Sequence, residues 1–215
     1  ASAPSQASTS ADNTVTVTPT LTAANPSMGS TAGGTIVALT GTHLGNVTAV
    51  TFGGTPATIT GVAATQVTVT TQAHAAGTVD VAISTSGAGA ATLTGGYVYG
   101  RVQWTGAWEG GAAPGAGDVA VIAGGDLTIG ANVAWGGLDI QGGTVTQSAG
   151  ATITLGADGF TQSGGTFTGG DSDITVNGDF ILSNGTFTST SGVLTVTDAF
   201  THTGGAFFHN DGTVA

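Results

Sequence analysis

Cysteine is absent from this chain, and basic residues are nearly so: one Lys or Arg stands against twelve Asp and Glu. Without cysteine there is neither a disulfide scaffold nor a Cys-type zinc site. The single cation is Arg101, and the formal charge is −11. Neutralising phosphates takes several Lys or Arg on one face, so nucleic acid is excluded as a partner. The same lack excludes a polybasic membrane anchor. No apolar run approaches the ~20 residues needed to span a bilayer. Helical spacing of apolar residues is missing throughout. What remains is rich in Gly, Thr, Ala, Ser and Val, with 39 glycines. Mean hydropathy is +0.30 and the apolar residues are patterned, which argues against disorder along the whole chain. A length of 215 residues predicts one or two domains.

Residues 1–13 are small, polar and aperiodic and read as a flexible tail. A start at Ala1-Ser2-Ala3 resembles the product of signal-peptide cleavage, which predicts a secreted or cell-surface protein. From Thr14 the pattern is that of strands. Thr14-Val15-Thr16-Val17-Thr18, Val67-Thr68-Val69 and Val79-Asp80-Val81 alternate with period two. Turn signals separate the runs at Asn25-Pro26, Gly33-Gly34, Gly53-Gly54 and Ser86-Gly87. Short strands between such turns predict a β-sandwich over 14–100.

Particular residues sharpen this. Asn25-Pro26-Ser27-Met28-Gly29 is followed by Ala32-Gly33-Gly34-Thr35 and by Val37-Ala38-Leu39-Thr40-Gly41-Thr42-His43-Leu44. Then come Val50-Thr51-Phe52-Gly53-Gly54-Thr55-Pro56-Ala57 and Ala73-His74-Ala75-Ala76-Gly77-Thr78-Val79-Asp80-Val81. In this order they resemble an IPT/TIG domain over about 19–100. Gln72 stands where many relatives have Pro. The resemblance implies an immunoglobulin-like fold used as a spacer or binding module, in receptors, adhesins or carbohydrate-active enzymes, and it carries over no catalytic residue.

Residues 101–126 hold Trp104, Trp108 and a Gly-rich stretch and read as a linker or cap. Over 127–215 the chain repeats. Phe160, Phe180 and Phe200 are evenly spaced, as are Phe167, Phe187 and Phe207. Leu127-Thr128-Ile129, Ile153-Thr154-Leu155, Ile174-Thr175-Val176 and Leu194-Thr195-Val196 form another recurring unit. A period near 20 residues without helical phase predicts a parallel β-helix. The expected fold class is therefore all-β, an immunoglobulin-like sandwich followed by a solenoid. Period two within each strand sends the Phe ladders and the Ile, Leu and Val pairs inward and their Thr neighbours outward.

The chemical candidates are few. His43, His74, His202 and His209 accompany no Cys or nucleophile elbow, and Glu109, Asp118, Asp126 and Asp139 show no pairing, so no enzyme is expected. No cofactor is expected, with calcium the one ligand in question. Gly169-Gly170-Asp171-Ser172-Asp173 partly matches a calcium-binding nonapeptide, with Asn177 and Asp179 nearby. One copy of the motif favours a solvated turn. Outward Thr144/Thr146, Thr166/Thr168 and Thr186/Thr188 resemble the arrays of ice-binding proteins; Thr is also simply a good outward strand residue.

The functional expectation is a structural or adhesive surface protein forming a stalk or filament. Self-association is expected through Thr14, Val15, Thr16, Val17 and Thr18 at one end and Thr213 and Val214 at the other, where the expected last strand lacks a cap. The competing expectation is a module binding a surface or matrix glycan or ice, or a non-catalytic accessory region.

Overall fold

A computed structural model describes residues 17–87 and 89–215. The first unit contains β1 (Thr20–Asn25), β2 (Met28–Gly29), β3 (Ile36–Thr42), β4 (Val47–Phe52), β5 (Thr55–Pro56), β6 (Thr58–Val62), β7 (Gln66–Thr70), β8 (Gly77–Thr85) and β9 (Ala90–Tyr99). One sheet runs β1-β3-β7-β6 and the other β2-β9-β8-β4-β5. Alternation decides what lies between them. Val37 and Leu39 face Val67 and Val69 within one sheet, and Val50, Phe52, Val81, Ile83, Tyr97 and Tyr99 line the other, all buried. This is an immunoglobulin-like sandwich with its own core.

The second unit contains β10 (Arg101–Trp104), β11 (Val119–Ile122), β12 (Asp126–Ile129), β13 (Val133–Ile140), β14 (Thr144–Gln147), β15 (Ile153–Gln162), β16 (Thr166–Thr168), β17 (Ile174–Val176), β18 (Phe180–Leu182), β19 (Thr186–Thr188), β20 (Val193–Val196), β21 (Phe200–His202), β22 (Ala206–Phe208) and β23 (Thr213–Val214). Among the described residues these strands pair in parallel, and they wind into a β-solenoid of about six turns. One wall stacks β12-β14-β16-β19-β22. The long strands β13 and β15 bend around a corner, so the wall they form divides above them: β17, β20 and β23 continue one half, β18 and β21 the other.

Two differences from the sequence reading have simple causes. Residues 101–126 are no mere linker, because β10 and β11 are full rungs below β13. The inward column runs Val102, Ala120, Leu138, Phe160, Phe180, Phe200. Its first members are small, so the aromatic signal that marks the later turns is missing there. Leu127-Thr128-Ile129 stacks under Val145, not under Ile153. Val133-Ala134-Trp135 occupies the rung below Ile153-Thr154-Leu155 instead. One Leu-Thr-Ile triplet resembles another, and only the neighbouring turns tell them apart.

Repetition makes the core. Phe160 and Phe180 stack at 4.7 Å and Phe180 and Phe200 at 4.6 Å between ring centroids, with their planes nearly parallel. Phe167, Phe187 and Phe207 stack alongside, and the two columns meet edge to face, as at Phe180–Phe187, 4.9 Å. Offset stacks and T-shaped contacts are the arrangements aromatic quadrupoles favour. Phe160, Phe167, Phe180 and Phe187 are fully buried; Phe207 is partly buried and Phe200 is 43% exposed.

Candidate functional site: the junction and its neighbouring cleft

The densest polar constellation lies where the two units meet. Gly115-Ala116-Gly117 turns the chain so that Asp118, just before β11, points back at the sandwich. Its carboxylate accepts four hydrogen bonds: from Ser30 Oγ (2.7 Å), Thr31 N–H (2.8 Å), Thr31 Oγ1 (2.8 Å) and its own turn's Gly115 N–H (2.8 Å). Asp118 is wholly buried. Burial alone raises its pKa, but the donors at Thr31, Ser30 and Gly115 outweigh burial and hold the carboxyl below the usual range. The anion is therefore the form that the folded junction keeps.

Backbone contacts reinforce it. Gly100 N–H donates to Gly29 O, and Val119 N–H donates to Gly100 O, so the chain passes from β9 into β10 without a free hinge residue. The excursion between β10 and β11 also leans on the sandwich. At Gly110, φ is +71° and a Cβ would lie 2.3 Å from Thr35 Cγ2 and 3.2 Å from Pro26 Cγ, so only glycine fits. Two residues earlier, Trp108 packs edge to face on Trp104 (5.0 Å) and Trp135 (6.0 Å), over the first turn of the solenoid. Arg101 pairs with Asp139 at 2.6 Å.

Beyond Trp108 lies a cleft of about 410 Å³, walled by Trp108, Ala113 and Pro114 on one side and by residues 127–135 on the other. β12 is the first strand of its wall. Among the described residues it pairs with β14 alone, which leaves its other edge toward the cleft.

Other expected residues sit elsewhere. Asp171, Asp173, Asn177 and Asp179 bond between turns of the solenoid. Asp171 Oδ1 accepts from Gly150 N–H and Ser172 Oγ, Asp173 Oδ1 from Val193 N–H, and Asp179 Oδ1 from Ala199 N–H; Asn177 donates to Leu155 O. The Gly150 N–H, helped by Ser172, lowers the Asp171 pKa. No group of three or more His, Cys, Asp or Glu suited to a metal exists among the described residues. Thr14, Val15 and Thr16 lie outside the described residues, and Val17 and Thr18 precede the first strand, which starts at Thr20. Thr213 and Val214 form β23 against β20, with Val214 exposed. The outward Thr array is longer than the repeats alone suggest, since Thr128 extends one column through Thr146, Thr168 and Thr188 to an exposed Phe208.

Buried polar side chains escaped the sequence reading. Gln147 donates to Ala151 O and Ser172 O and accepts from Gly170 N–H. Gln162 donates to Gly164 O, Gly165 O and Thr186 O. Both occupy positions where the inward pattern predicts an apolar residue. Ser30 and Thr31 carried no signal in a chain so rich in both.

The arrangement defines a class: an all-β protein in which an immunoglobulin-like sandwich continues directly into a parallel β-solenoid. Within it, residues 19–99 match the IPT/TIG domain family and form an IPT/TIG domain. Two solved structures of the full extracellular region of plexin A4, one with domains 1 to 8 and one with domains 1 to 10, are each 26% identical over 39% of this chain, with a TM-score of 0.33. The matched part spans only 8% and 7% of those chains. No curated protein matches the chain. No helix among the described residues is long and apolar enough to cross a membrane.

Proposed function

We propose that this chain is a non-catalytic structural module of an extracellular stalk or filament, a stiff spacer that holds its two ends at a set distance and orientation. The observation that carries this is the Asp118 clamp. A buried carboxylate with four donors, three of them on the sandwich, couples the two units through one charged group. A flexible linker would leave such a group in water. Export fits the composition, because Arg101 is the single residue a trypsin-like protease could attack, and its side chain is tied to Asp139. An IPT/TIG domain accords with a spacer role. Two of the four histidines serve the fold: His74 stacks on Tyr99 and contacts Ala75 O, and His202 contacts Gly205 O.

The test is native trypsin digestion followed by small-angle scattering. A stiff module resists cleavage at Arg101 and scatters as one elongated particle of fixed dimensions. Rapid cleavage into two freely tumbling pieces rejects the reading.

A second reading, ice binding, has one observation in its favour: the outward Thr columns on the β12-β14-β16-β19 wall. Thermal hysteresis measured on the purified chain decides it. A glycan site on the sandwich has less support, since its aromatic residues Phe52, Tyr97 and Tyr99 are all buried and present no ring to a sugar.

A further inference from the structure

The cleft beside the junction has room for one more strand. In the β12–β14 ladder, Gly125 O accepts from Thr144 N–H and Ile129 O accepts from Ser148 N–H. Parallel strands alternate the direction of their backbone groups, so residues 125, 127 and 129 serve β14. Asp126 and Thr128 therefore turn their N–H and C=O groups to the opposite side, along the cleft. An edge of this kind pairs with extended backbone. The walls add a side-chain requirement: Trp108, Pro114, Val133 and Trp135 are apolar and leave room for aliphatic groups at alternate positions.

This chain contains such a segment. Thr14-Val15-Thr16-Val17-Thr18 alternates in the same way as Thr144-Val145-Thr146, the strand that already covers β12's other edge. Thr14, Val15 and Thr16 lie outside the described residues, and their point of attachment is known. Pro19 packs over Gly89, at the start of β9, and β9 then runs ten residues before the chain enters the solenoid at Gly100. Ten residues of strand span about 30 Å, whereas the five from Thr14 to Thr18 reach at most about 18 Å. A molecule's own segment falls short of its own cleft.

We propose that the edge of β12 accepts residues 14–18 of a second copy of this chain, by strand addition, with Val15 and Val17 turned to the apolar wall of Trp108 and Trp135. Donor and acceptor are different surfaces separated along the long direction of the sandwich. Such a contact is heterologous and, unless its rotation closes a ring, extends into a filament. The inference deepens the structural reading above by naming the partner and both contact surfaces.

Sedimentation velocity on the full chain over a range of concentrations provides the test. Two acceptor variants are informative. Thr128→Pro removes a donor that faces the cleft, at an edge position where proline is tolerated and the β14 ladder is untouched. Ala113→Trp fills the cleft from its other wall without altering a strand. The donor variant carries Val15→Asp and Val17→Asp together. We expect the wild-type chain to grow with concentration and each variant to lose association by about tenfold or more. Mixing the donor variant with either acceptor variant leaves one good donor and one good acceptor, and should give dimers that grow no further. A wild-type chain that stays monomeric overturns the proposal. So does assembly that survives both acceptor variants, since the segment then docks elsewhere. Neither outcome touches the stiffness of the module, which scattering reads on the monomer.

Discussion

The sandwich and the solenoid bury aliphatic and aromatic side chains to the same degree but gain their order differently. In the sandwich each core position is different from its neighbours, and Tyr97, Tyr99 and Phe52 meet edge to face in a cluster that occurs once. In the solenoid one solution is used turn after turn, with Phe on Phe at the rung spacing. A unique core depends on every member. A repeated core tolerates loss at its ends and is most sensitive in its middle.

That contrast is sharpest in the aromatic column. Phe180→Ala should cost about 3–5 kcal/mol, the range for a fully buried Phe, whereas Phe200→Ala, at the more exposed end of the same column, should cost clearly less. Thr175→Ser, on the outward side, should stay within about 0.5 kcal/mol. Urea denaturation measures all three. Equal losses at Phe180 and Phe200 would mean that the column does not behave as a stack.

Next in size is the junction. Asp118→Ala leaves the buried Ser30 and the half-buried Thr31 donors without their acceptor, at a cost on the order of 3 kcal/mol. Calorimetry should show the single transition of the wild type splitting into two. Because the folded state holds this carboxyl's pKa low, the coupling is fully present above the ordinary carboxylate pKa. It is lost only as pH falls through the lowered folded value.

A smaller effect separates two adjacent glycines. Gly110→Ala meets both a positive φ and Thr35 Cγ2, while Gly111→Ala, with φ +83°, meets nothing within 4 Å. The second should cost about 1 kcal/mol of backbone strain and the first more, with the added cost falling on the junction. Equal costs would mean that the excursion does not press on the sandwich.

The smallest effect is spectroscopic. Burial raises the pKa of both tyrosines, and that of Tyr99 reaches about 12, with the nearby Tyr97 adding to it. Their contribution to stability is fully present below the ordinary value of 10 and fades above it, for Tyr99 as pH rises toward about 12. Absorbance at tyrosinate wavelengths should therefore lag well behind free tyrosine. A normal titration would place the rings outside the sandwich core.

How far the sequence showed all this differs between the units. The later turns were legible because Phe160, Phe180 and Phe200 repeat in register. The first turns were not, because Val102 and Ala120 hold the same column with small side chains. The sandwich was legible through its motif order, not through periodicity, which strands of many folds share. The clamp was hidden for a physical reason: Asp118 and its donors Ser30 and Thr31 are far apart along the chain, and nothing local marks a Ser or Thr as an interface donor. The acidic turn at 169–179 partly matches a calcium-binding repeat in sequence, and its carboxylate oxygens accept from backbone N–H groups of neighbouring turns, a role that no local pattern marks.

Through the Asp118 clamp, sandwich and solenoid are expected to move as one body. The absence of cysteine makes a direct measurement clean, since Val62→Cys and Thr154→Cys, both at exposed positions, carry the sole two thiols for spin labels. Pulsed dipolar spectroscopy on that chain should give a single narrow distance distribution, and adding Asp118→Ala should broaden it. A broad distribution in the chain that keeps Asp118 would mean that the two units move independently.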